Sequence, residues 1–336
     1  MRAKQEETMK RVFALIALFG ILLCGCGAAG GAEETQETTL PKNIMQKEAP
    51  AGDDIMNILF IGDSTCYYWT DELYGMLAAA GYEDANVCNL YYSGCTPEMY
   101  WNWHQEGAAK LEFFTVNRNG RQKLTNYTLE MALQMHNWDI ISFKTSSGSY
   151  NHPTNEESLA TTEPYLTNLL EYVRGQYPLS KYHWQQNWAV EIGYSNGRYT
   201  MADRAQRDNM YSNTKYVAQE VAKKHNLTIV PCGDAWEPVR DLELFRTPVE
   251  NLPLDKMTLC TRIQGNQIID DFGHDGDIGG GQYLNACVWY EIITGQSCMD
   301  NTFRPKYVLG GIDYSLTEEK IQVLQKAAHD AVAAAK

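Results

Sequence analysis

Positive charge is scarce in this chain of 336 residues. Lysine and arginine together number 28 against 42 aspartates and glutamates, which gives a formal net charge of −14. No basic stripe offsets this balance, and proteins that bind nucleic acids depend on such a stripe to hold phosphates. We therefore expect no nucleic acid among the partners.

Long apolar runs and metal-binding spacings are also lacking. The apolar run Val12–Leu23 is too short to cross a bilayer as a helix. The chain has 9 cysteines, but none lies in a C-x-x-C or Cys/His spacing typical of a zinc site. The glycines at 279–281 are not followed by the G-K-[ST] of a phosphate loop. The sequence therefore predicts neither a bound metal nor a cofactor.

The N-terminal segment has the pattern of an export signal. Lys10 and Arg11 precede the apolar run, which ends in Leu23-Cys24-Gly25-Cys26 and resembles a bacterial lipobox. The resemblance implies a lipoprotein signal peptide at residues 1–25 and a lipid on Cys26. The protein would then be held at the extracellular face of the cell membrane. An ordinary secretory signal with a coincidental cysteine is the alternative.

The segment after the signal lacks apolar periodicity. Residues 26–55 are rich in alanine, glycine, glutamate and threonine, and predict a flexible tether. Residues 56–336 remain for a folded domain, a length within the range of a single α/β domain.

The stretch Asn57–Trp69 carries the strongest structural signal. Its residues Ile58–Ile61 form an apolar run that ends at Gly62, as expected for a parallel strand buried on both faces. Ser64 follows before a predicted helix at Asp71–Ala80. The serine should therefore lie at the carboxyl edge of a sheet, where ligands bind and backbone N–H groups can hold negative charge.

Strands and helices alternate along the rest of the chain. Apolar runs predict further strands at Asn86–Tyr92, Asp139–Phe143, His183–Val190 and Leu227–Val230. Helical patterns are found at Leu129–His136, Leu159–Tyr177, Met201–His225, Ile278–Thr294 and Leu316–Ala335. This alternation predicts an α/β fold, with a mainly parallel five-stranded sheet covered by helices on both faces.

Three segments interrupt the alternation. The Asn119-Gly120 pair predicts a small inserted β-hairpin within Phe113–Tyr127. The aromatic segment Glu98–His104 is predicted to be irregular. The segment Asp234–Ile269 is predicted to be a long connection with short helices.

His274 is the residue best suited to activate Ser64. A serine hydroxyl is a weak nucleophile that needs a base and a third group to orient that base. Asp271 lies three residues before His274, so one short loop can present both side chains. His104 and His152 are the rival bases, but neither has a carboxylate at a supporting spacing.

These residues, in their order and context, resemble the SGNH (GDSL-like) hydrolases, a family of esterases and lipases. The resemblance covers about Asn57–Gly295 and rests on three blocks, Gly62-Asp63-Ser64, Gly94 and Asp271-x-x-His274. The runs SGCT, WDII and HDGDIGGGQYL are most similar to a bacterial lipoprotein subgroup. The resemblance implies a three-layer α/β/α sandwich with a flavodoxin-like sheet.

The resemblance also implies a role for each matching residue. Ser64 would be the nucleophile, His274 the general base and then acid, and Asp271 the carboxylate that orients the histidine. The oxyanion hole would use the backbone N–H groups of Ser64 and Gly94.

One block of the family is missing. A G-x-N-D sequence with an asparagine donor should follow the third strand, but the chain has Lys144–Ser149 there instead. Lys144, Ser146 or Ser147 could replace the asparagine in the oxyanion hole, and Ser146 and Lys144 are the first to test. Lys144 could equally form a salt bridge with Asp63.

Aromatic residues cluster around the first two predicted loops. Tyr67, Trp101 and Trp103 could stack on the faces of sugar rings, and Asp63 is a further candidate for contact with the substrate. Core packing is the alternative for the aromatic side chains.

Two other features could be mistaken for sites. The acidic segment Asp270–Asp277 does not have the EF-hand spacing, and we expect a solvated loop there. Cys66 lies two residues after Ser64, and we expect it to be buried beside the site without reacting. The seven cysteines beyond Cys26 leave the disulfide pattern open.

The sequence therefore predicts a surface-anchored serine esterase with a Ser-His-Asp triad. Its substrate would be an acyl ester, with acetyl favoured, on a carbohydrate or another small polar alcohol. A catalytically weak SGNH-like domain that binds glycans stays open because the asparagine is missing. A solute-binding lipoprotein of a transporter stays open because of the tether.

Overall fold

The computed structural model describes residues 55–246, 252, 254 and 256–336. The predicted signal peptide at 1–25, the lipidation site Cys26 and the tether up to residue 54 lie outside the described residues.

Seven strands form the main sheet, in the order β4-β3-β2-β1-β5-β6-β7. Their bounds are β1 Asn57–Gly62, β2 Asn86–Tyr91, β3 Leu111–Asn117, β4 Gly120–Tyr127, β5 Ile140–Phe143, β6 Lys181–Gln185 and β7 Thr228–Val230. The five strands from β2 to β7 across the sheet are parallel. Counted along the chain, their spatial order is the flavodoxin-like 2-1-3-4-5. The predicted parallel sheet is therefore confirmed.

The predicted hairpin is part of this same sheet. Strands β3 and β4 are antiparallel and meet at Gly120, whose φ of +84° suits glycine. Strand β3 also pairs antiparallel with β2, so the hairpin extends the sheet at one edge.

Helices cover both faces of the sheet. Their bounds are α1 Thr70–Ala79, α2 Pro97–Glu106, α3 Leu129–Leu133, α4 Asn155–Ala160, α5 Tyr165–Gln176, α6 Arg204–His225, α7 Cys232–Arg240, α8 Gly281–Thr294 and α9 Glu318–Ala334. Along β1, Ile58 and Phe60 pack in one apolar core with α1, α7, α8 and α9. Leu59 and Ile61 point the other way, into a core with α2, α3, α5 and α6. The fold is the three-layer α/β/α sandwich expected from the SGNH resemblance.

The segment predicted to be irregular is instead the helix α2. Thr96 caps its first turn by accepting a hydrogen bond from the N–H of Met99 at 3.3 Å, and Pro97 occupies the first position. Gly107, with φ +63°, ends the helix. The prediction was wrong because the aromatic residues hid these start and stop signals.

The long connection also contains regular structure. A two-stranded antiparallel hairpin, β8 Thr261–Gln264 and β9 Gln267–Asp270, precedes the loop that carries His274. A second short hairpin joins β10 Val308–Leu309 to β11 Ile312–Asp313 before the last helix.

The described residues contain neither a membrane-spanning helix nor a disulfide bond. No helix in the described ranges has both the length and the apolar character needed to cross a bilayer. All seven cysteines within those ranges are buried free thiols.

Candidate active site

A short 3-10 turn after β1 carries Ser64. Asp63 caps this turn, because its Oδ1 accepts hydrogen bonds from the N–H of Thr65 at 3.0 Å and from the Thr65 hydroxyl at 2.8 Å. The carbonyl of Thr65 accepts a further bond from Nε2 of Gln185, on β6, at 2.9 Å. The turn is therefore fixed from within and from a neighbouring strand, and Ser64 stands at the carboxyl end of a central strand.

Lys144 lies under this turn and forms a salt bridge with Asp63. This salt bridge was the alternative to a role for Lys144 as a donor in the oxyanion hole. Its ammonium contacts the Asp63 carboxylate and the Thr65 hydroxyl, and its side chain is only 2% exposed. A Cβ on Gly62 would lie 2.6 Å from Cγ of Lys144, so a side chain at that position would displace the lysine. Lys144 and Asp63 therefore hold the turn, and the Asp63 carboxylate is committed to these bonds.

The His274 loop meets the Ser64 turn across 210 positions of sequence. Nε2 of His274 lies 2.7 Å from Oγ of Ser64, and Nδ1 lies 2.9 Å from Oδ1 of Asp271. One ring nitrogen thus faces the hydroxyl while the other is held by a carboxylate. This arrangement can take a proton from the serine and keep the ring oriented during the transfer.

Arg262, on β8, holds the other side of the Asp271 carboxylate. Its Nε donates to Oδ2 of Asp271 at 2.9 Å, and its guanidinium lies 5.0 Å from the ring centre of Tyr68. The same tyrosine packs edge-on against the His274 ring, with 5.3 Å between centroids. Sequence reasoning missed Arg262, although Gly265 and the alternating residues beside it are a hairpin signal.

Asp271 is held in its ionised form. Burial favours the neutral acid, but the hydrogen bonds and charges of His274 and Arg262 outweigh burial and lower the pKa of Asp271 to about 2. The carboxylate is therefore available to the imidazole across the whole neutral range.

A cleft of about 960 Å³ opens over Ser64 and His274. Gly94 lines it with φ +62°, and a Cβ there would meet no atom within 4 Å, so its backbone faces open space. Ser146 also lines the cleft, whereas Lys144 does not. Other residues in the wall are Tyr92, Glu98, Asn151, His152, Tyr165, Tyr194, Asn196, Arg198 and Tyr199.

The aromatic residues expected to contact substrate lie outside this cleft wall. Tyr67 packs against Phe114 at 4.6 Å between centroids, and Trp103 packs against Tyr92 at 4.8 Å. Trp101 packs against His104 at 5.2 Å. Trp101 and Trp103 lie on α2, and the helix directs both rings toward neighbouring side chains. The tyrosines that line the cleft come from other segments of the chain.

The rival base His104 is bonded elsewhere. Its ring contacts Glu130, a pairing that sequence spacing did not reveal. It also packs at a tilt against the ring of Tyr172, with 4.1 Å between the centroids. His152 does line the cleft, but no carboxylate is bonded to its ring among the contacts that the described residues show.

A second serine motif occurs at Gly193-Tyr194-Ser195-Asn196-Gly197, which has the form G-x-S-x-G. Its serine lies on an exposed loop, and its hydroxyl is 3.1 Å from that of Thr200. A G-x-S-x-G nucleophile requires a sharp strand-to-helix turn, and this loop has none.

The acidic segment beside His274 is not the solvated loop that was expected. Asp275 is fully buried, and Asp277 accepts hydrogen bonds from the N–H of Ile263 at 2.9 Å and of Ile278 at 2.6 Å. The Asp277 carboxylate therefore joins the loop to β8 and to the segment before α8. Within the described part of the chain, no group of three or more His, Cys, Asp or Glu side chains is placed to hold a metal ion.

Cys66 is buried, as expected. Burial raises the pKa of its thiol to about 12, so a thiolate nucleophile is strongly disfavoured at this position.

Several solved structures are similar to this chain, and the one below with a TM-score above 0.5 supports the fold alone. A DUF4886 family protein from Bacteroides uniformis has a TM-score of 0.63 and 22% identity, over 83% of this chain and 95% of that one. An acetyl xylan esterase has a TM-score of 0.41 and 13% identity, over 70% of this chain and 100% of that one. No curated protein matches. A family model described as "Domain of unknown function (DUF4886)" matches residues 57–245, more than half of the chain, and the protein therefore belongs to this family.

Proposed function

We propose that this protein is a serine esterase in which Ser64, His274 and Asp271 form the catalytic triad. The observation that carries the proposal is the continuous contact from hydroxyl to imidazole to carboxylate, at 2.7 Å and 2.9 Å, in a cleft open to solvent. A chance meeting of these three side chains would not explain why both ring nitrogens are engaged in the order that nucleophilic catalysis needs.

The reaction has two halves. The Ser64 hydroxyl attacks the ester carbonyl while Nε2 of His274 takes its proton, and the imidazolium is stabilised by Asp271. His274 then protonates the leaving alcohol oxygen, and an acyl group remains on Ser64. A water molecule then attacks the acyl carbon while His274 takes its proton. The bond between the acyl carbon and Oγ of Ser64 breaks, His274 returns the proton to Oγ, and the acid is released.

The oxyanion of each tetrahedral intermediate is held by hydrogen-bond donors at the rim of the sheet. The backbone N–H groups of Ser64 and Gly94 serve this role, each worth about 3–4 kcal/mol of transition-state stabilisation. Ser146 is the third donor in this proposal, because its position lines the cleft while the ammonium of Lys144 is engaged beneath the turn.

The acyl group is acetyl and the alcohol a carbohydrate in our proposal. Tyr92, Tyr194 and Tyr199 line the cleft, and tyrosine rings offer apolar faces with a polar edge, which suits the faces and hydroxyls of a sugar. No cofactor takes part in the steps above.

Hydrolysis of 4-nitrophenyl acetate tests the proposal. We expect Ser64→Ala and His274→Ala to lower kcat by about 10⁴-fold or more. Ser195→Ala is the matched control, since this serine lies in the alternative motif and its loss should leave turnover intact. Turnover that survives in Ser64→Ala, or that is lost in Ser195→Ala, would contradict the proposal.

A catalytically weak glycan-binding domain is the second candidate. It is favoured by Lys144, whose ammonium is engaged with Asp63 where a third oxyanion donor was expected. This candidate predicts glycan binding without hydrolysis of any short-chain ester. A transporter solute-binding protein would have two similar lobes, whereas the described residues contain one seven-stranded sheet.

We further propose that Cys26 is lipidated and anchors the enzyme to the outer face of the cell membrane. The support is the basic, apolar and cysteine-containing pattern of the N-terminal segment. Cys26→Ser should release the protein from membranes; full retention of this variant in the membrane fraction would contradict the anchor.

A further inference from the structure

A tight loop between β6 and α6 forms one wall of the cleft. We call residues 193–201 the tyrosine loop. Its ends are joined by backbone hydrogen bonds, including one from the N–H of Gly193 to the carbonyl of Met201 at 2.8 Å. At the tip, Oδ1 of Asn196 accepts the N–H groups of Arg198 at 3.0 Å and of Tyr199 at 3.2 Å. The backbone that carries Arg198 is therefore ordered by its own turn.

Arg198 differs from the other arginines that the structure describes. Each of the others has a hydrogen bond, an ion pair or an aromatic ring at its guanidinium; they are Arg118, Arg121, Arg174, Arg204, Arg207, Arg240, Arg246, Arg262 and Arg304. Within the described residues, no such contact is found for the guanidinium of Arg198, which lines the cleft instead. Arg198 is an exposed residue of the cleft wall, and an arginine at such a wall without a protein partner is suited to bind an anion there.

The tyrosine loop lies on the histidine side of the cleft. Just before the loop, the N–H of Glu191 donates to the carbonyl of Phe272 at 2.8 Å. A Cβ on Gly273 would lie 2.4 Å from Cε2 of Tyr194, so this ring touches the residue beside His274. Because His274 must protonate the leaving alcohol, the wall next to it faces the alcohol part of the substrate, and the Gly94 side faces the oxyanion.

The other charges in the cleft leave this position cationic. The Asp63 carboxylate is bonded to Lys144 under the turn. Glu98 belongs to α2 on the Gly94 side and is hydrogen-bonded to Tyr165. The remaining titratable side chains that line the cleft are two histidines and four tyrosines, and none of them carries a carboxylate. The guanidinium can therefore pair with a ligand without competition from an adjacent carboxylate of the wall.

We infer that Arg198 binds an anionic group on the alcohol part of the substrate, which makes the substrate class acyl esters of acidic carbohydrates. This inference rests on the proposed esterase function. A planar guanidinium can bind a carboxylate or a phosphate through two parallel hydrogen bonds, and Tyr194 and Tyr199 beside it can hold the sugar ring. The overall charge of −14 would repel such a substrate, so a local cation is needed for recognition.

Three acetylated sugars that share one ring and differ at carbon 6 distinguish the possible anions. The probes are mono-O-acetylated derivatives of methyl glucuronoside, of its uncharged carboxamide and of methyl glucoside 6-phosphate, and acetate release is measured. For the wild-type protein we expect kcat/KM for one of the two anionic probes to exceed that for the carboxamide by about 10–100-fold, the range of a charged hydrogen bond. The better of the two anionic probes identifies the group as carboxylate or phosphate.

Arg198→Gln should bring this ratio close to one, and Arg198→Lys should restore part of it through charge alone. Arg204→Gln is the matched control, because it removes a nearby exposed arginine that is outside the cleft wall. A wild-type ratio near one, or a ratio that persists in Arg198→Gln, overturns the inference.

A binding experiment separates this inference from the proposed function. Calorimetric titration of Ser64→Ala with the non-acetylated glucuronoside, its carboxamide and the 6-phosphate measures anion preference without turnover. Preference for an anion, lost in the Ser64→Ala, Arg198→Gln double variant, supports the inference even if no ester is cleaved. Turnover of 4-nitrophenyl acetate without any anion preference leaves the esterase standing and overturns the inference.

Discussion

The ammonium of Lys144 lies against the carboxylate of Asp63 directly beneath the turn that carries Ser64. The two side chains are 2% and 4% exposed, so neither charge is solvated. Because burial of a lone charge is costly, removal of either partner would leave the other charge buried and unpaired. The position of the nucleophile therefore depends on a buried ion pair whose lysine lies outside the cleft wall.

Lys144→Met should lower the free energy of unfolding by about 3–5 kcal/mol, because it leaves the Asp63 charge buried and unpaired. Adding Asp63→Asn should recover part of this loss by removing the stranded charge. Urea unfolding followed by circular dichroism measures both changes. The control Lys326→Met removes an exposed partner of Asp330 and should shift the free energy by less than about 0.5 kcal/mol. Equal effects of the two lysine substitutions would contradict the role assigned to the pair.

Arg262 should act through Asp271 on the pH dependence of catalysis. Arg262→Gln removes a cation from beside Asp271, so the carboxylate stabilises the imidazolium of His274 more strongly. The acid limb of the kcat/KM profile should therefore move to higher pH. We also expect kcat/KM at its optimum to fall about 10-fold or more, because the His274 ring is less firmly held. Arg262→Lys keeps the charge and should keep the acid limb close to that of the wild type.

The control for this experiment is Arg118→Gln, which removes an exposed partner of Asp84. Its profile should overlay the wild-type profile. A uniform loss of activity in Arg262→Gln, with no movement of the acid limb, would mean that Arg262 only supports the loop.

Glu72 should make the protein less stable as the pH rises from about 4.5 to about 7. Burial raises the pKa of this carboxyl from 4.5 to about 7, although its hydrogen bond from the Tyr307 hydroxyl, at 2.7 Å, acts in the opposite direction. Between these values the folded protein holds a proton that the unfolded chain has released, so stability falls as the pH rises through this window. The total effect is about 3 kcal/mol.

Glu72→Gln keeps an acceptor for Tyr307 and should remove most of this slope between pH 5 and pH 8. Urea unfolding at several pH values measures it, with Glu83→Gln as an exposed control. If the slope of Glu72→Gln matches that of the wild type, another group is responsible for the pH dependence.

Gly276→Ala should displace the His274 loop. A Cβ at this glycine would lie 2.1 Å from the carbonyl oxygen of Thr261, which is backbone and cannot rotate away. We expect a stability loss of about 1–3 kcal/mol and at least about a 10-fold fall in kcat/KM. Gly175→Ala is the control, since its Cβ would meet nothing within 4 Å in α5, and helix propensity predicts a neutral or stabilising effect. Wild-type activity in Gly276→Ala would show that the loop tolerates the shift.

The sequence could predict which catalytic residues lie in the loops at the strand ends. Ser64, Gly94 and His274 all follow local patterns, a buried run or a short loop with its own carboxylate, and chain order brings such loops to one edge of a parallel sheet. The five parallel strands followed from the same alternation.

Contacts between distant segments could not be predicted in this way. Nothing local to Lys144 decides between an oxyanion donor and a salt bridge. The salt bridge forms because the lysine side chain passes close to Gly62, where only a glycine leaves room for it. Arg262 lies in a hairpin that was hidden in a long connection. Trp101 and Trp103 were expected to face the substrate, but helical geometry, not aromatic content, sets the direction of a side chain.

The buried free thiols give the protein a built-in reporter of its own opening. None of the seven cysteines in the described ranges is cross-linked or accessible in the folded state, so each becomes reactive only when the segment around it opens. They lie on β2, α7 and α8, in the turn that carries Ser64 and in several loops. The order in which an alkylating reagent adds mass at each position would therefore reveal which layer of the sandwich separates first.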